Sequence, residues 1–225
     1  QPWYYLLLMA FLAILFETAM QLLVQSRIEW RILRLVMVGL ILLLTSANAW
    51  RATKTRQTNI DLLSAKLESL ATRNDLIILH PWWPGLTFAR YFKGSTPWVT
   101  LPEITDHSFM RYDLIKQKMV QVEPIKPIIE QISRTLQQGQ RVWIVCDLPF
   151  LSLGENPEYL QPAPYGPPGW HEWPYALYWI RQAAHLMKTH AQTIVEVPVP
   201  VDFPINTYED FRLYRVDGWG EAKSN

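Results

Sequence analysis

Six polar side chains have the type and setting to do chemistry: His80, Asp106, His107, Arg111, Asp113 and Asp147. An imidazole beside a carboxylate can exchange protons or ligate a metal. The spacing of His80, Asp106 and His107 matches no standard metal motif, so an acid–base arrangement is the simpler chemistry for them. Arg111 and Asp113 open a predicted helix, where capping and a surface ion pair explain them as well as ligand contact does. Asp147 follows an apolar run and is the best single polar candidate, although aspartates also commonly begin turns. Cys146, the only cysteine, reads as a small buried hydrophobe and rules out an intramolecular disulfide. Trp82 and Trp83 serve either as packing or as contacts to a sugar or lipid carrier. There is no Gly-rich phosphate loop, His-Glu-x-x-His or Gly-x-Ser-x-Gly pattern.

The elements that must position these groups follow from periodicity and punctuation. Residues 59–71 carry Ile60, Leu63, Leu67 and Leu70 at helical spacing, with Asn59 as the expected N-cap. The short apolar runs 76–79 and 141–146 suit buried strands, and His80-Pro81 ends the first. Residues 86–92, 111–120, 125–138 and 175–190 read as helical, with Gly139 as the residue that closes the third of these. Further strands are expected at 98–101, 193–197 and 211–216, the last antiparallel to its predecessor. Residues 147–174 are dense in proline and glycine, so no regular element is expected there. They also carry Phe150, Tyr159, Tyr165, Trp170 and Trp173, an aromatic content that predicts an ordered flap rather than a disordered linker. Ligands of open α/β sheets bind beyond the carboxyl ends of the strands. His80, Trp82, Trp83, Asp106, His107, Arg111, Asp147 and Trp170 are therefore the expected substrate-binding residues. None of them is assigned a catalytic or metal-binding role.

Apolar residues are concentrated at the start of the chain. Residues 3–24 hold one charge, Glu17, and residues 35–49 hold none. A bilayer core needs roughly 20 helical residues. Trp3, Tyr4, Tyr5, Trp30 and Trp50 stand where interfacial belts would fall. A transmembrane hairpin over residues 1–50 is thus expected, followed by a soluble, mostly parallel α/β domain over 51–225. A signal peptide fits less well, because a basic leader and a cleavage site are missing. Arg27, Arg31 and Arg34 in the short connection favour its cytoplasmic placement, which puts residues 51–225 outside the cytoplasm, at the plasma (inner) membrane. Residues 51–225 hold 18 basic and 18 acidic side chains, which argues against a nucleic-acid partner. Glu17 in an apolar helix and the opening without Met predict the C-terminal piece of a longer polytopic protein.

Several local patterns occur together here: Asp75-Leu76-Ile77-Ile78, Pro81-Trp82, Arg90-Tyr91, His107, Arg111-Tyr112-Asp113 and Arg141-Val142-Trp143-Ile144-Val145. In this combination the chain resembles the C-terminal region of polytopic C-type membrane glycosyltransferases, in particular those similar to dolichyl-phosphate-mannose–protein mannosyltransferases (glycosyltransferase family 39). The resemblance covers nearly the whole chain but rests on strand-end and aromatic patterns. It implies a polyprenyl-phosphate-linked sugar donor, a separate acceptor, a lipid bilayer as partner and a divalent cation in the full-length protein, with no cofactor in this chain. The family's catalytic carboxylate belongs to a loop with no counterpart here, so no catalytic residue carries over. The expected role is to shape the donor or acceptor site. The alternatives are a membrane-anchored glycan- or protein-binding domain and a membrane-anchored hydrolase using His80, Asp106, His107 or Asp147.

Overall fold

A computed structural model describes residues 6–23, 28–153, 157–163 and 171–221. The chain divides into two compact units, Gln1–Lys54 and Thr55–Asn225.

The first unit holds helices α1 (Leu6–Leu23) and α2 (Ile28–Thr53). No helix among the described residues is long and apolar enough to cross a membrane. This corrects the expected transmembrane hairpin, and the integral-membrane, extracytoplasmic placement built on it does not stand. The physical reason is length. The 18 residues of α1 rise about 27 Å, short of a hydrocarbon core of about 30 Å, and include Glu17. Although α2 has 26 residues, Glu29, Arg31, Arg34 and Arg51 confine its uncharged part to residues 35–50, about 24 Å. Both helices leave large apolar side chains exposed, among them Phe11, Ile14, Leu35 and Leu43. Trp3, Tyr4, Tyr5 and Arg27 lie outside the described residues.

The second unit is a five-stranded sheet between two layers of helices. In chain order it contains α3 (Ile60–Leu70), β1 (Leu76–His80), α4 (Gly85–Tyr91), β2 (Trp98–Thr100), α5 (Tyr112–Met119), α6 (Lys126–Gln137), β3 (Val142–Cys146), α7 (Trp173–His190), β4 (Ala191–Val197) and β5 (Arg212–Trp219). The strand order is β2-β1-β3-β5-β4. β1 pairs parallel with β2 and β3, while β5 pairs antiparallel with both β3 and β4. The sheet is therefore mixed rather than mostly parallel, because the last strand inserts between β3 and β4 instead of adding to an edge.

Side-chain alternation along the strands divides the core. Leu76, Ile78, Val142, Ile144 and Cys146 face α5, α6 and α7, and Ile77, Leu79, Trp143 and Val145 face α3 and α4. Both faces are covered, which is why β1 and β3 read as continuous apolar runs. Each such buried side chain contributes roughly 1.5–3 kcal/mol through its removal from water.

Local devices fix the connections. Gly139 has φ 72°, and the Gly139 and Gln140 amides bond back to the Leu136 and Thr135 carbonyls, closing α6. Asn59 does not cap α3 as expected. Its side chain instead bonds both backbone groups of Phe211, at 2.7 and 3.0 Å, and so ties the start of α3 to the residue that precedes β5. The Ile60 amide takes the Thr58 hydroxyl in its place. Within residues 147–174 the chain forms a short 3-10 turn, Phe150–Ser152, which proline and glycine content alone does not predict.

Candidate functional site

The carboxyl ends of β1, β2 and β3 lie together, and the start of the antiparallel β5 joins them through the Cys146–Arg212 register pair. His80 is the last residue of β1 and is fully buried. Its Nε2 lies 3.1 Å from the Ala176 carbonyl in the first turns of α7. A carbonyl only accepts, so Nε2 carries the proton and Nδ1 presents a bare lone pair. Burial pushes His80 down to about 4, so the ring is neutral at physiological pH.

Opposite Nδ1, at 3.9 Å, stands Asp147 Oδ1. Both atoms are buried, and among the described residues neither has a hydrogen-bond partner. Burial pushes the Asp147 carboxyl up to about 6. Between pH 4 and 6 the pair thus holds one proton on Asp147, and above that it holds none on either facing atom. It is at no pH an ion pair. Glu209, from the segment before β5, is raised by burial and further by the charge of Asp147, against a lowering bond from Thr58. Cys146 is buried, its thiol pushed up to about 12 mainly by desolvation, and its Sγ donates to the Leu148 carbonyl.

A second cluster belongs to the connection after β2. Arg111 bonds Asp106 with one nitrogen and grips Asp113 with two others at 2.6 and 2.8 Å. The Ser108 hydroxyl and amide, followed by Arg111, hold Asp106 down at about 2. Arg111 also lies 5.2 Å from the ring of Phe109, which is exposed. Trp82 is buried; its indole donates to Glu172, and its ring meets Tyr112 edge-on at 5.4 Å. Burial raises Glu172, and the Trp82 bond lowers it in part. Trp83 is half-buried against the core under α5 to α7. These contacts link the ends of β1 and β2 to the starts of α5 and α7 in an aromatic rim with acidic side chains.

His107 takes a different place. Its ring packs 4.6 Å from that of Trp98, and a Cβ at Gly85 would stand 2.8 Å from His107 Nδ1, so glycine there makes room for it. Burial lowers His107 and Asp106 partly restores it. The expected group of His80, Asp106 and His107 therefore separates: His80 joins Asp147, Asp106 joins Arg111, and His107 joins Trp98. Trp170 lies outside the described residues. Glu172 and Glu209 were not singled out from the sequence, because an acidic residue in an irregular segment carries no local signal of what it will face.

No group of three or more His, Cys, Asp or Glu side chains that could hold a metal ion is present among the described residues. A groove of about 500 Å³ lies on α6 and α7, lined by Ile125, Ile129, Tyr159, Tyr178 and Gln182 among others, away from the unsatisfied pair. A smaller hollow of about 390 Å³ opens where β4 ends and β5 begins, walled by Asn59, Glu196, Asp210 and Arg212. Neither of these two cavities is lined by His80 or Asp147. Compared with family models, curated proteins and solved structures, the chain matches none.

Proposed function

We propose that residues 55–221 act as the acceptor-binding part of a glycosyltransferase, holding a neutral saccharide at the carboxyl edge of β1–β3. The observation that carries this reading is the Asp106–Arg111–Asp113 cluster framed by Phe109 and Tyr112. Small-ligand sites combine flat apolar surface with a few fixed polar groups. A sugar offers both an apolar face for an aromatic ring and hydroxyls for an ordered fork of carboxylate and guanidinium.

Charge selects between donor and acceptor. The connection after β2 carries Asp106 and Asp113, and its Arg111 is already taken by both carboxylates. A phosphate-bearing donor is repelled here, whereas an uncharged acceptor is not. The donor in this reading is a polyprenyl-phosphate-linked sugar held away from this edge.

Titrating the full chain with a panel of neutral mono- and disaccharides, followed by tryptophan fluorescence and by the indole and guanidinium resonances, tests the reading. At least one saccharide should saturate the signal at millimolar concentration or below, and Tyr112→Ala should weaken it about tenfold. If no sugar in the panel moves the Trp82 or Arg111 resonances, the reading is wrong.

A further inference from the structure

The two edges of the sheet are β2 and β4, and they are unlike. β2 has three residues and runs into Leu101-Pro102, so it offers little backbone to a further strand. β4 has seven residues, and among the described residues it pairs on one side only, with β5. An edge strand turns the N–H and C=O groups of alternate residues outward, where they form a template for another strand. Proteins commonly block such an edge with proline, lysine, a bulge or a covering element. Residues 191–197, Ala-Gln-Thr-Ile-Val-Glu-Val, contain neither proline nor lysine, and their register with β5 runs unbroken from Thr193 to Val197. Gln192, Thr193, Val195 and Glu196 are exposed, so this stretch of the edge is open to solvent.

The side chains determine what can pair there. Ile194 and Glu196 stand opposite Val216 and Tyr214, on the face toward α5, α6 and α7, and alternation places Gln192 with them. Thr193, Val195 and Val197 stand opposite Asp217, Arg215 and Leu213, on the face toward α3 and α4. Let a second β4 run antiparallel beside the first, with the two-fold axis at Ile194. Residues directly opposite then share a face. Ile194 meets its own counterpart, which extends the apolar cluster it already adjoins. Thr193 meets Val195, a pair of β-branched side chains. Glu196 meets the neutral, exposed Gln192, so the two Glu196 charges are kept apart. An axis at Thr193 or Val195 instead sets Ile194 against Gln192 or Glu196, and an axis at Glu196 sets like charges opposite each other. The strand is thus complementary to itself in one register.

We propose that β4 is a homodimer interface: two copies of this chain pair β4 to β4, antiparallel about Ile194, and join their sheets into one. Such an isologous contact closes after two copies, and it leaves the short β2 strands as the outer edges of the joined sheet. The proposal is independent of the saccharide reading given above.

Cysteine cross-linking in the full chain tests the register. Directly opposite Cα atoms lie about 4.5–5.5 Å apart, within reach of a disulfide, whereas Cα atoms more than about 7 Å apart cannot be bridged. Cys146 is buried and adds no background. Under a mild oxidant, Ile194→Cys should give disulfide-linked dimers on a non-reducing gel. Thr193→Cys mixed with Val195→Cys should also cross-link, while each alone should not. These two positions are exposed, so they keep the test valid if the substitution at half-buried Ile194 impairs folding. Thr193→Lys added to the Ile194→Cys chain should slow its cross-linking at least tenfold, because a lysine blocks the edge. A wild-type chain that sediments as a monomer at high concentration overturns the proposal. So does an oligomer in which neither pairing cross-links, or in which Thr193→Cys and Val195→Cys cross-link as readily alone as together.

Discussion

Replacing Asp147 with asparagine should expose a pH dependence of stability that the wild-type pair conceals. The unfolded aspartate titrates near 3.8 and the folded one near 6. Between those values the folded state keeps a proton that the unfolded state has lost, so this group's contribution falls as pH rises. His80 runs the other way. Its folded value lies near 4 against 6.5 unfolded, so the unfolded chain takes up the proton first, and the contribution rises with pH from about 4 to 6.5. One unit corresponds to about 1.4 kcal/mol. The fully buried His80 accounts for about 3 kcal/mol over its window. Asp147 accounts for about 2 kcal/mol after a discount for its partial exposure to solvent. Over pH 4 to 6 the two slopes oppose and largely cancel. Urea denaturation of wild type and Asp147→Asn, followed by tryptophan fluorescence at half-unit steps from pH 4 to 7, isolates the difference, because all other titrations are common to both proteins. The variant should gain about 2 kcal/mol relative to wild type between pH 4 and 6. A difference curve that is flat, or that slopes the other way, would refute both the donorless geometry and the raised carboxyl.

Two further outcomes follow from the buried polar groups. Asp75 is 1% exposed and accepts bonds from the Thr72 amide, the Arg141 amide and guanidinium, and the Trp143 indole. Burial raises this carboxyl, but the four bonds outweigh it and hold it below the usual range, so its stabilisation is present above pH 4 and is lost as pH falls through the folded value. Asp75→Ala should cost roughly 1–3 kcal/mol by chemical denaturation for each buried donor left without an acceptor, the Trp143 indole N–H first among them, while the part-exposed Arg141 guanidinium turns to solvent. Cys146, with its thiol near 12, should resist a disulfide reagent at pH 8 while the protein is folded and react with it in urea, both read by absorbance.

The helices and strands of the second unit were largely legible in the sequence, because burial on both faces leaves apolar runs of strand length and the helices carry apolar residues at 3.6 spacing. The partners of those strands were not. Nothing in the residues 211–216 says that β5 will separate β3 from β4, since pairing is decided by which hydrophobic faces can be covered at once. Asn59 misled for a related reason: its type suits a cap, but a partner 152 positions away claimed both ends of its amide. In the first 50 residues the apolar runs and interfacial aromatics suggest a membrane hairpin, but the described helices are too short or too interrupted by Glu17, Arg34 and Arg51 to span one. At the site, His80 and Asp147 were visible as strand-end polar residues. Their mutual facing was not, because it depends on the register of β1 against β3, in which His80 sits opposite Cys146.

The position of β5 also sets the order in which the domain can be assembled during synthesis. Four of the five strands leave the ribosome before residue 212, yet β4 has no hydrogen-bonded neighbour until β5 arrives between it and β3. Until Trp219 has emerged, β3 therefore exposes an unpaired edge, and β4 must wait on a tether of α7. Such a late, central strand makes the last step of folding a non-local insertion rather than an addition at the margin. Shortening the chain by the eight residues of β5 would not trim the sheet but divide it, leaving the nascent form dependent on whatever shields its open edge.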